Sequence, residues 1–302
     1  MTTAARHGTV VSNYGRRALV EDEAGERHQC MLASRRLKPV TGDHVMWRPA
    51  TASSEPLLLE VGERKNSLER PTSRGKLEVL AANVTQLVIV VAPTPEADPF
   101  IVDRYVAAAE FMNARAAIVC NKRDLVPEAG FPFEEELEMY AALGYPTLRV
   151  SARDRSGFDG LRRLLQGQTS ILVGQSGTGK SSILNSLLPD LDLTTRSVSV
   201  SLGEGRHTTT ASTLYHLDGG GRIIDSPGVR DYAPGQALEG NVQRGFIEIE
   251  SASHQCRFHN CQHLREPGCG VIAAVEKGTI RARRYESYRR LLRLGRDLGR
   301  QY

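Results

Sequence analysis

One stretch narrows what this chain can fold into more than any other: GQSGTGKS, Gly174 to Ser181. It follows the apolar run SILVG (Ser170 to Gly174) and opens the helix-like run SSILNSLL. The pattern GxxxxGK[ST] between a strand and a helix is a phosphate-binding loop. Its glycines let backbone N–H groups turn inward onto phosphate oxygens, and the helix N-terminus adds partial positive charge. Lys180 is placed to reach the β- and γ-phosphates, and the Ser181 hydroxyl to bind Mg²⁺. Gly174, Gln175, Ser176, Gly177, Thr178, Gly179, Lys180, Ser181 and Ser182 are the candidate phosphate-binding residues.

A phosphate loop needs a parallel sheet to stand on, and the surrounding sequence supplies one. QLVIVVA (Gln86 to Ala92) and ARAAIVC (Ala114 to Cys120) are continuous apolar runs, as expected of strands covered on both faces. PTLRVSA (Pro146 to Ala152) reads as a third strand and SILVG as a fourth. Helical spacing runs from Pro99 to Met112, Glu134 to Leu143 and Phe158 to Leu165. TLYHL and RIIDS flank Gly219 to Gly221 as an antiparallel hairpin. The alternation predicts a doubly wound α/β domain with its ligand at the carboxyl ends of the strands.

The motifs at those ends choose the ligand. NKRD (Asn121, Lys122, Arg123, Asp124) closes the second strand. Guanine offers two donors, N1–H and the N2 amine, and one carboxylate can accept both. Adenine has an acceptor and a C–H there, so Asp124 discriminates between the bases. Asn121 suits the opposite edge of the base and the Lys122 stem its face. Ser151 and Ala152 end the third strand, where backbone can approach the guanine oxygen. DSPG supplies Asp225, to hold Mg²⁺ through water, and the Gly228 N–H for the γ-phosphate. GRHTTT (Gly205 to Thr210) offers a threonine to complete the Mg²⁺ shell, with Thr209 favoured over Thr208. Val229 stands where many GTPases carry a water-positioning glutamine. His207 is the candidate replacement, and a solvated loop histidine would read the same way.

The flanks differ in texture. Up to about Asn66 the chain offers short β-like pieces: GTVVS, RRALVE, RHQCMLA and DHVMWRP. They predict a small barrel of the OB type, although an SH3-like barrel would look alike. Beyond about Ala233, CRFHNCQHLREPGC spaces Cys256, Cys261, His263 and Cys269 as C-x4-C-x-H-x5-C. Three thiolates and an imidazole make a closed structural Zn²⁺ shell, with His254 and His259 as rival nitrogen donors. From Arg281 to Arg300 eight arginines face only two acidic residues, with Tyr285, Tyr288 and Tyr302 interleaved. That composition suits RNA phosphates and unstacked bases, or a solvated helix packed through Leu291, Leu292 and Leu298. The sequence has no apolar run long enough for a signal peptide or membrane span, so a cytoplasmic location without a membrane partner is expected. Five cysteines, an odd number, then argue for thiols or metal ligands.

Guanine reader, then Ser151–Ala152, then phosphate loop, then GRHTTT, then DSPG reverses the usual order of a GTP-binding domain. In that order the sequence resembles the circularly permuted GTPases, and among them the RsgA (YjeQ) family of ribosome small-subunit-dependent GTPases. The resemblance covers nearly the whole chain. It implies an N-terminal OB-fold over residues 1–66, a permuted GTPase domain over 67–233, and a zinc domain with helical tail over 234–302. It further implies GTP hydrolysis to GDP and phosphate, stimulated by the small ribosomal subunit, in that subunit's late maturation. Zn²⁺ on the four cysteine and histidine positions, Mg²⁺ with GTP, rRNA contacts and a catalytic role for His207 come with it. A monomer that does not bind DNA is expected. Two other readings fit the motifs: an RNA-binding switch whose hydrolysis is incidental, and a P-loop ATPase with a zinc module.

Overall fold

The structure is a computed structural model and describes residues 4–52, 54–71, 77–126, 130–131, 133–188, 212–226 and 241–299. Five strands form the N-terminal unit: β1 (Arg6–Asn13), β2 (Arg17–Asp22), β3 (Arg27–Leu32), β4 (His44–Arg48) and β5 (Leu57–Val61). They close in the order β1-β2-β3-β5-β4-β1, with β3 and β5 parallel and every other pair antiparallel. Alternation fills the inside. In β4, Val45 and Trp47 point inward while His44 is exposed. They pack with Val10, Ala18, Val20, Cys30 and Leu58. β1 serves two cores, since its next residue, Val11, points out of the barrel into the central core.

A ribbon of β6 (Ser67–Pro71) and β7 (Leu77–Ala82) leads to the second unit. There β8 (Gln86–Val91), α1 (Pro99–Phe111), β9 (Arg115–Cys120), α2 (Glu134–Ala142), β10 (Thr147–Arg149), α3 (Phe158–Leu165), β11 (Thr169–Val173) and α4 (Lys180–Leu187) alternate as predicted. β12 (Thr213–His216) and β13 (Arg222–Asp225) complete it. The order is β10-β9-β8-β11-β13-β12, parallel throughout except for β12. β8 and β11 are buried at every residue, as strands covered by helices on both faces must be. α1 starts where Asp98 caps it, accepting from the Phe100 N–H at 2.9 Å, with Pro99 preset for the first turn. α3 buries Phe158, Leu161 and Leu165, one helical stripe, and exposes Arg162 and Arg163. The sheet runs on into the barrel through β12 and β1.

The C-terminal unit contains a 3₁₀ turn (Val242–Gly245) and helices α5 (Ile247–Ser253), α6 (Gly270–Glu276) and α7 (Ala282–Gly299). Here the arginine tail departs from the sequence reading. Arg283 and Arg284 are not available to RNA, because both are committed to Asp103 on α1. Arg284 donates to Asp103 Oδ1 at 2.6 Å and forks onto Glu248 at 2.7 and 3.0 Å. Arg283 reaches Asp103 Oδ2 at 2.5 Å, and the Tyr140 hydroxyl also donates to Asp103. Burial works against the Arg284 charge, but Asp103 and Glu248 outweigh it and hold the guanidinium more firmly protonated than usual. Tyr285 and Tyr288 also turn inward, donating to the His263 and Gln262 carbonyls.

Removing one partner of a buried, hydrogen-bonded charge pair costs about 3–5 kcal/mol, and here Glu248 and Glu136 would be left as the remaining partners of Arg284 and Arg283. Asp103→Ala should therefore lower the urea midpoint of the full chain strongly. Asp103→Asn, which still accepts hydrogen bonds, should lower it less. Equal, small shifts in both would show that the cluster does not hold the units together.

Candidate functional site

Those predicted nucleotide residues that lie among the described residues converge at the carboxyl edge of the parallel sheet. The loop Gly174–Gly179 leaves β11 and enters α4 through two positions that only glycine fits. At Gly174 (φ +131°) a Cβ would lie 2.3 Å from the Val90 carbonyl oxygen. At Gly179 (φ +88°) it would lie 2.3 Å from the Asn121 amide nitrogen. The loop is thus pressed against β8 on one side and the NKRD turn on the other. Lys180 folds over it, its ammonium 2.7 and 2.6 Å from the Gly174 and Gln175 carbonyl oxygens. Thr178 is buried and donates to the Gln175 carbonyl at 3.0 Å. Ser176, Ser181 and Ser182 are exposed.

Asn121 joins three motifs. It is 1% exposed. Its amide donates to the Thr178 and Gly179 carbonyls at 3.0 and 3.4 Å. Its oxygen accepts the Ala152 N–H at 3.1 Å. Asn121 therefore acts first as a tie between phosphate loop and base pocket. Lys122 sits in the left-handed region (φ 60°) and donates to the Thr94 carbonyl at 2.7 Å. The Arg123 N–H donates to the Val150 carbonyl at 3.1 Å, while the residue itself is exposed.

Asp124 Oδ1 accepts the Ser151 hydroxyl at 2.8 Å. Ser151 is fully buried and also accepts the Arg153 and Asp154 N–H groups at 3.3 and 3.4 Å. The Asp124 side chain keeps 19% exposure, with Arg153 at 3.8 Å from Oδ2. One carboxylate is therefore held from behind and open on its other face, the arrangement a two-donor base edge requires. Thr94 and Arg153 were not foreseen, since a carbonyl and a loop arginine carry no motif. Asp225 ends β13, beside β11 in parallel register, which brings it to the same edge. His207, Thr208, Thr209, Gly228 and Val229 lie outside the described residues.

The cysteine cluster is a second centre. Cys256, Cys261, His263 and Cys269 place their ligand atoms within 4.8 Å of one another. Cys256 and Cys269 sulfurs are 3.8 Å apart and lie 3.4 and 3.5 Å from His263 Nδ1. A tetrahedral shell with Zn–S of ~2.3 Å and Zn–N of ~2.0–2.1 Å has edges of about 3.8 and about 3.5 Å, so the donors fit zinc. His254 and His259, the rival nitrogen donors, are exposed and lie outside the cluster. Gln243 Oε1 sits 2.9 Å from His263 Nε2. That partner fixes the proton on Nε2 and turns the Nδ1 lone pair inward. Sequence reasoning missed Gln243, twenty residues from the histidine and in no motif. The other two cysteines are structural: burial pushes the Cys30 thiol up to about 11 and the Cys120 thiol up to about 12.

Fold and site together define a P-loop guanine-nucleotide protein whose base reader precedes its phosphate loop in the chain. The family model described as RsgA GTPase matches residues 61–233. A protein named small ribosomal subunit biogenesis GTPase RsgA from Chromohalobacter salexigens is 43% identical over 95% of this chain and 85% of its own. Its namesake from Ectopseudomonas mendocina is 42% identical over 94% and 84%. Among solved structures, YjeQ from Thermotoga maritima aligns with TM-score 0.75 and 32% identity over 98% of this chain and 99% of that one. YloQ, described as a circularly permuted GTPase, aligns with TM-score 0.75 and 27% identity over 97% and 96%. The chain belongs to the RsgA GTPase family.

Proposed function

We propose that the protein hydrolyses GTP on the small ribosomal subunit, is stimulated by that subunit, and acts in its late maturation. The observation that carries the nucleotide part is Asn121. It binds the phosphate loop and the Ser151–Ala152 turn at once, which sets Asp124 at a fixed distance from the phosphates. The names of the relatives supply the subunit.

In this reading Asp124 accepts the guanine N1–H and N2 amine, and Lys180 leaves its loop carbonyls for the β- and γ-phosphate oxygens. Ser181, Asp225 and Thr209 would hold Mg²⁺, which would supply positive charge to the phosphoryl oxygens. The Gly228 N–H meets the γ-phosphate, and His207 orients the attacking water where Val229 cannot. Cys256, Cys261, His263 and Cys269 hold one structural Zn²⁺. The barrel is an OB-fold. With the exposed arginines of α7, Arg290, Arg293 and Arg296, it faces rRNA. Three domains, 1–66, 67–233 and 234–302, work as a monomer in the cytoplasm.

The test is GTP turnover with and without purified small subunits. Turnover should rise by orders of magnitude with subunits, and His207→Ala should remove most of the rise while leaving GDP affinity intact. Equal turnover in both conditions would refute the subunit assignment.

A further inference from the structure

Beside the apolar contact of Val11 with the central core, the seam between barrel and nucleotide sheet carries a polar rung. Among the described residues β1 meets β12 at one rung, Ser12 opposite Thr213. On the other side of β12, Thr213 stands opposite Asp225. Ser12, Thr213 and Asp225 thus lie on one line across three strands, and with strands about 4.8 Å apart the barrel residue is roughly 10 Å from the acidic one.

Side chains reinforce this rung. Ser12 is fully buried and Thr41 is 2% exposed. Ser12 Oγ donates to the Ser212 carbonyl at 2.7 Å and lies 2.9 Å from Thr213 Oγ1. Thr41 Oγ1 donates to the same carbonyl at 2.9 Å. Two barrel hydroxyls, 200 and 171 residues away in sequence, therefore converge on one acceptor. Serine and threonine hydroxyls usually bond to their own neighbourhood; here they fix one unit against another. Ser212 passes the constraint on, its hydroxyl donating at 2.8 Å to Ser226, the residue after Asp225. His216, three residues further along β12, meets Glu21 of β2 at 2.5 Å and keeps the strand from pivoting on that rung.

We propose that Ser12 and Thr41 of the barrel are positioning residues for GTP hydrolysis. They hold the Ser212 carbonyl, and through β12 and Ser226 they set where Asp225 presents its carboxylate. This rests on the reading of Asp225 as the Mg²⁺-holding aspartate. They act through that residue and not on the nucleotide, so they affect turnover and Mg²⁺ use while leaving base and phosphate affinity alone.

The test uses the full chain and compares Ser12→Ala, Thr41→Val, the double variant and the conservative Thr41→Ser. Basal kcat, KM for GTP, the Mg²⁺ concentration for half-maximal turnover and Mg²⁺-free GDP affinity are measured. The double variant should lose roughly tenfold in kcat and need several-fold more Mg²⁺, as expected when two hydrogen bonds to one carbonyl are lost. GDP affinity should hold, and Thr41→Ser should stay near the parent. Ser226→Ala, at the partly exposed far end of the relay, leaves the barrel interior untouched and should show the same rise in Mg²⁺ requirement. It decides the matter if the barrel variants fold poorly. Parental kcat and Mg²⁺ dependence in both the double variant and Ser226→Ala, with Asp225→Asn strongly impaired, would overturn the proposal and leave the Asp225 reading standing. Parental Mg²⁺ dependence in Asp225→Asn would overturn both.

Discussion

Asp124→Asn should weaken GDP binding by about three orders of magnitude, read by displacement of a fluorescent GDP analogue. In the proposed reading the carboxylate offers two charge-assisted acceptors to the guanine edge, each contributing about 1.5–3 kcal/mol, and every 1.4 kcal/mol is about tenfold in affinity. The amide keeps one acceptor, now uncharged, and turns a donor toward the other N–H of guanine, so one contact is weakened and the other becomes repulsive. The same donor suits a carbonyl, and xanthine carries one where guanine has its amine. Xanthosine diphosphate should therefore bind the variant better than it binds the parent. The Ser151 hydroxyl, 2.8 Å from Oδ1, orients the carboxylate without touching the base, and Ser151→Ala should cost only about tenfold. ADP competing as well as GDP against the parent protein would sink the guanine assignment altogether.

What the sequence made legible follows from where each signal is stored. The phosphate loop is local: glycines that must reach φ +131° and +88°, a strand before and a helix after. Its context could be read directly. The base reader is a short motif, and its placement at the end of an apolar strand carried the inference. That Asn121 ties it to the loop is a contact between positions 57 residues apart, which no local pattern encodes. The barrel was legible as a barrel but not in full. Leu57–Val61 lacks clean alternation, so β5 did not stand out as a strand, and neither did the largely polar β6 (Ser67–Pro71) of the ribbon beyond the barrel. The tail was legible only in part. Arginine content suggested a nucleic-acid face, yet Arg284, Tyr288 and Leu291 form one buried stripe at helical spacing. The stripe was there to be seen. Its acidic partners, Asp103 on α1 and Glu248 on α5, were not, because they lie far off in the chain and in no motif.

Loss of one zinc ligand should have the second large effect, confined at first to the C-terminal unit. Cys261→Ser should abolish stoichiometric zinc and remove hydrogen-exchange protection from residues 241–299, while GDP binding survives. Structural zinc sites contribute on the order of 10–16 kcal/mol in small zinc-binding domains, more than the apolar cluster around Val271, Ile280, Tyr288 and Leu291 is able to replace. The loop carrying the ligands gives the reason. His263 is held at φ 57°, and Glu266 gathers the Gln262, Leu264 and Arg265 N–H groups. That turn has backbone satisfaction but little apolar content. α7 is tied to it through Tyr285 and Tyr288 and to α1 through Arg284 and Asp103. Metal loss should therefore loosen the same joint that Asp103→Ala breaks. The two substitutions together should destabilise the chain by less than the sum of each alone, because residues in one network do not add. Full zinc content and parental exchange protection in Cys261→Ser would refute the metal assignment. Strict additivity would instead separate the metal from the joint.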